Sequence, residues 1–127
     1  MTAAVATAAH VTARPRRIKR RHLWLIPGLA LALFANGQAA LHGVGLAYLL
    51  IFGIVPHVPA LLPRADALFN ALHHPLQPAV VLVLAWAGLL PPVALVGSLV
   101  WLSHIVIDSA LGDGVRSADG SRRGWLA

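Results

Sequence analysis

Residues 93–114, VALVGSLVWLSHIVIDSALGDG, decide how the rest of the chain is read. Pro91-Pro92 before them suit a helix start, and Gly112 and Gly114 suit a helix end. The apolar run between is ~19 residues, roughly 28 Å as α-helix, close to the ~30 Å hydrocarbon thickness of a bilayer. Inside it His104 and Asp108 stand four residues apart and share a face, which Trp101 and Gly97 continue. Ionisable groups in a membrane helix are costly, so the pair marks a candidate functional site. The negative end of the helix macrodipole also opposes an acid at Asp108, so something must compensate it.

Composition agrees with a membrane protein. The chain has 127 residues, 58% hydrophobic and 11% charged, against about 25% charged in an average soluble domain. Its four acids, Asp66, Asp108, Asp113 and Asp119, all lie in the second half. No cysteine is present, which excludes disulfides, thiolate nucleophiles and thiolate metal sites. The net charge of +6 comes from bases near the chain ends, without interleaved aromatics. Arg16, Arg17, Lys19, Arg20 and Arg21 therefore read as a membrane-surface anchor for anionic lipid head groups, and no nucleic acid is expected.

Working outward, residues 1–22 form a basic arm expected to be disordered and cytoplasmic. Arg20-Arg21 before an apolar run also leave a cleaved targeting signal open. Residues 23–114 form the transmembrane domain, and residues 115–127 a basic cytoplasmic tail. No formally charged residue falls between His22 and Pro63. Asn36-Gly37-Gln38 is the expected turn, giving a short first helix, 23–35, and a second, 39–55. Pro56-His57-Val58-Pro59 ends the second. A short segment, 65–74, precedes a third helix entered past Pro75 and Pro78 and running to Leu90. All ten Lys and Arg lie in the arm, at Arg64, or in the tail. Four crossings put all of them in the cytoplasm. The fold class expected is thus all-α, an integral four-helix bundle of short transmembrane helices with both termini cytoplasmic. Its place is the cell membrane, as a multi-pass protein of the bacterial inner membrane. Four short helices enclose little interior, so a homo-oligomer is compatible with the sequence.

That topology brings His57, Asn70, His73, His74, His104 and Asp108 to the cytoplasmic level. His73, His104 and Asp108 are the candidate metal ligands, and His57, Asn70 and His74 the surrounding polar cluster.

Here the residues resemble a family. Phe69-Asn70-Ala71-Leu72-His73, followed by Pro78, is similar to the YN-x-x-H…P segment of the domain of unknown function 4260 family of small bacterial membrane proteins. Residues 100–108 with residues 111–116 resemble that family's IW-x-x-HIG-x-DR-x-LGYGLK segment. The resemblance implies a four-helix integral membrane protein and carries no established activity. Three positions depart from the pattern: His57 replaces an acid, Ser109 an arginine and Asp113 a tyrosine.

Three functional readings follow. The first is a structural or scaffold-type membrane protein whose polar cluster fixes helix packing. The alternative is a membrane-embedded metal-dependent hydrolase using His73, His104 and Asp108. An H-x-x-x-D helix gives two ligands facing one point, and a histidine from a neighbouring segment gives the third that a divalent metal such as zinc needs. The further alternative is a proton or solute transporter. Ser98 and Ser103 lack a nucleophile-elbow context. Whether the protein is an enzyme stays open at this level.

Overall fold

The structure is a computed structural model that describes residues 20–62, 65–117 and 121–123. It is all-helical apart from one short strand pair: α1 (Leu25–Leu41), α2 (Leu46–Ile54), α3 (Asp66–Leu72), α4 (Leu76–Trp86) and α5 (Pro92–Leu111). A 3-10 turn, Arg20–Trp24, leads into α1, and a second, Val55–Leu61, continues α2. Strands β1 (Val115–Arg116) and β2 (Arg122–Arg123) pair antiparallel after α5.

Three helical stretches are long and apolar enough to cross a membrane: Arg20–Leu41, Asp66–Trp86 and Pro92–Leu111. Leu46–Leu61 is apolar but shorter. In α5, 56% of the most apolar window is buried, against 17% in each of the other two, so α5 is the helix the others surround. Pro92 opens it at N1, where its missing N–H costs nothing. Helix α1 packs closely along it: a Cβ on Gly28 would stand 2.8 Å from Ile107 Cγ1. On another side the Phe52 ring lies over Gly97, 3.0 Å from where a Cβ would be. The outer faces carry large apolar side chains, among them Ile26, Leu33, Val83 and Trp86, each about 70% exposed.

The first turn differs from the sequence reading. Helix α1 runs through Asn36-Gly37-Gln38 and stops at His42 instead. The decisive residue is Gly43, at φ +66°, with Val44 N–H donating to Ala39 O at 2.8 Å, the 6→1 bond of a Schellman stop. Gly37 sits in the helix with nothing near it, so it only weakens the helix locally. Helix α5 ends in the same way at Gly112, where Asp108 O accepts from both Gly112 N (2.9 Å) and Asp113 N (2.8 Å).

Candidate metal centre

Two side chains come from α5 itself. His104 Nε2 and Asp108 Oδ2 lie 3.3 Å apart on one face, as four-residue spacing requires.

The third comes from a helix break. Helix α3 stops at Leu72 and α4 restarts at Leu76, because Pro75 has no N–H to continue the ladder. The break leaves the Leu72 carbonyl available, and Trp101 Nε1–H of α5 donates to it at 2.7 Å. His73, fully buried, sits at this break. Its backbone N–H (3.0 Å) and its ring Nδ1 (2.9 Å) both reach the Phe69 carbonyl. A carbonyl only accepts, so Nδ1 carries a proton, which leaves Nε2 as the ring atom directed at the cluster. That Nε2 lies 3.4 Å from Asp108 Oδ2. The Phe69 ring stacks on the imidazole at 3.9 Å, fixing its plane.

The fourth is His57, delivered by the 3-10 turn that follows α2. Its Nε2 is 3.9 Å from the same carboxylate oxygen, and its ring meets His104 edge-on at 4.3 Å. One donor atom from each of the four residues falls within 4.8 Å of the others. Three of the side chains are nearly enclosed, while that of His57 is 49% exposed.

The electrostatics are one-sided. One carboxylate oxygen faces three imidazole nitrogens, at 3.3, 3.4 and 3.9 Å. His104 Nε2 and Asp108 Oδ2 are buried and neither joins a hydrogen bond, despite their 3.3 Å separation. Buried polar atoms of this kind are uncommon and call for an ion or a proton. Tetrahedral bonds of ~2.0–2.1 Å give ligand–ligand edges of ~3.3–3.4 Å, which the separations of His73 and His104 from Asp108 match and the 3.9 Å of His57 exceeds. His73's second nitrogen bonded to a backbone carbonyl is also what orients a metal-ligating imidazole.

The other polar residues are placed elsewhere. Asn70 forms a two-bond clasp with the Arg116 backbone, its Nδ2 donating to Arg116 O (2.9 Å) and its Oδ1 accepting from Arg116 N (2.8 Å). His74 Nδ1 accepts from Leu76 N–H at the start of α4 (3.3 Å). Arg116 pairs with Asp66 at 2.7 Å and lies 4.5 Å over the Phe69 ring, which also stacks on His73. Ser98 and Ser103 donate to Leu95 O (2.9 Å) and Val100 O (2.8 Å) in their own helix. Of the basic arm, Arg20 is exposed and Arg21 half-buried, its guanidinium against Gly112 at the end of α5. Arg16, Arg17, Lys19 and Arg64 lie outside the described residues. Sequence reasoning placed His57 in the surrounding polar cluster rather than among the ligands, and missed Phe69 as the group that orients His73. The signal for His57 was its position between Pro56 and Pro59, which interrupt the α-helical ladder.

No protein family, curated protein or solved structure matches the chain, so the reading of this site rests on its own geometry.

Proposed function

We propose that the protein is a multi-pass membrane protein built around a divalent-metal centre of His57, His73, His104 and Asp108, zinc being the metal these donors suit best. The observation that carries this is the convergence of one donor atom from each of the four residues within 4.8 Å, with His104 Nε2 and Asp108 Oδ2 buried and outside any hydrogen bond. It favours a metal site over the scaffold reading, in which His104 and Asp108 would be expected to hydrogen-bond to each other or to Asn70. His73, His104 and Asp108 make the enclosed side, and exposed His57, the most distant from the carboxylate, makes the open one. Three firm ligands with an open side are the arrangement of hydrolytic zinc sites, and a metal held there supplies Lewis acidity for hydrolysis. The chain's own residues do the rest: Phe69 orients His73, and Trp101 holds the α3–α4 break against α5.

Membrane insertion with four crossings fits the same structure. Leu46–Leu61 has a contour length of ~27 Å, because its second half rises as a 3-10 helix at about 2.0 Å per residue. Arg21 against Gly112 puts the start of α1 beside the end of α5, as an even number of crossings demands. Arg20, Arg21 and Arg116 then gather at one end, the cytoplasmic end by the positive-inside rule, where anionic head groups are the natural contact.

The test is elemental analysis of protein purified in detergent without chelator. Wild type carries about one divalent metal per chain. His73→Ala, His104→Ala and Asp108→Ala each abolish it, and His57→Ala weakens it. His42→Ala, outside the cluster, leaves it intact. Well-folded wild type without metal refutes the proposal.

A further inference from the structure

A cavity of about 120 Å³ lies between α2, α3 and α5, lined by Ile51, Phe52, Val55, Pro56, Leu72 and Trp101. Its lining follows the metal-centre candidates along the chain. Pro56 is bonded to His57, Leu72 to His73, and Trp101 stands one turn before His104. The walls offer hydrocarbon alone, because the one polar group among these side chains, Trp101 Nε1–H, is already bonded to Leu72 O. Ile51 and Val55 are half exposed on the outer apolar face, and His57 is half exposed beside them. The cavity thus has an apolar mouth toward the surroundings, and its inner wall is built by the chain neighbours of His57 and His73 and by Trp101. Two broader apolar hollows on α4 have no residue bonded in the chain to His57, His73, His104 or Asp108 in their lining.

We propose that this cavity takes the first carbons of a hydrocarbon chain, so that the ligand of the site is a membrane amphiphile with its polar head at the His/Asp cluster. The proposal deepens the metal-centre reading and rests on it for the head group. The chain-binding part stands on the cavity itself. In size the cavity is near the ~150 Å³ dry apolar cavity that admits benzene, room for a short stretch of chain. Water gains nothing there, because it would find no polar partner. Entry is sideways past Ile51 and Val55, from a lipid phase.

The test uses full-length protein in phosphatidylcholine nanodiscs, with Trp24, Trp86 and Trp125 changed to Phe so that Trp101 alone fluoresces. The probe is a fatty acid brominated close to its carboxylate. Saturable quenching of Trp101 is expected. Val55→Phe, or Ile51→Phe should the first variant fold poorly, fills the mouth and raises the half-saturating concentration about tenfold, what burial of two methylenes contributes. Metal content stays unchanged in both variants. Asp108→Asn keeps saturable quenching because the walls are intact, which separates the two readings: absent metal with saturable quenching removes the centre and keeps the cavity. Quenching that rises linearly with probe, or is equal in the filled variants, overturns the proposal.

Discussion

Removing His104 and Asp108 singly and together measures how strongly the cluster is coupled, independently of any metal. At 3.3 Å and an effective dielectric of ~20, two unit charges would interact by about 5 kcal/mol before desolvation, the ceiling for this pair. The measurable coupling is smaller, since His104→Leu leaves Asp108 with His73 at 3.4 Å and His57 at 3.9 Å. Polar pairs between membrane helices average ~0.6 kcal/mol and reach ~1.7 kcal/mol. Burial of both partners argues for a value above that average, about 1 kcal/mol, or roughly 5 °C of melting temperature in a unit of this size. Asp108→Asn keeps the shape and folds almost normally, whereas His104→Leu removes a partner from a buried acid and costs more. The double variant His104→Leu/Asp108→Asn should lose less than the two single losses combined. Thermal unfolding in detergent with chelator, followed by circular dichroism, reads all four proteins. Losses that add to within ~0.3 kcal/mol would mean that the two side chains do not interact, and the description of the site would fail.

Gly28→Val should destabilise by about 1–3 kcal/mol through the contact with Ile107, while Gly37→Ala, with open space around it, should be neutral or slightly stabilising; paired melting curves decide. Asn70→Ala removes both bonds to the Arg116 backbone, so hydrogen exchange at the Arg116 amide should accelerate by at least about tenfold, and an unchanged rate would show that the clasp is not needed. Metal retention should fall as pH drops below the ordinary histidine range, ~6.5, because protons compete for the same imidazole nitrogens; dialysis over a pH series with elemental analysis measures it. Reporter fusions at Met1 and in the tail should report cytoplasm and one at Pro91 the outside; a tail on the other side would remove the four-crossing arrangement.

Helix α5 was legible because its signals are local: prolines at one end, glycines at the other, and a four-residue spacing that any helix turns into a contact. The first turn was not. Gly37 and Gly43 look alike in sequence, and what separates them is a 6→1 bond that only the second completes. His57 entered the cluster through a 3-10 turn, whose tighter pitch no hydropathy pattern announces. Asn70 illustrates the opposite error. Helix position placed it near the histidines, but its amide matches a backbone N–H and C=O in the tail, a partner forty-six residues away that spacing cannot reveal.

Asp108 belongs to two structures at once. Its carboxylate faces three imidazoles, while its own carbonyl receives the two N–H groups that stop α5 and turn the chain toward β1. One residue is therefore both the charge of the interior and the pivot of the exit. The carboxylate and the joint from which the tail departs share one Cα, and the tail is clasped in turn to α3 by Asn70 and Asp66. The polar interior and the end of the fold where Arg21 and Arg116 lie thus meet at a single residue.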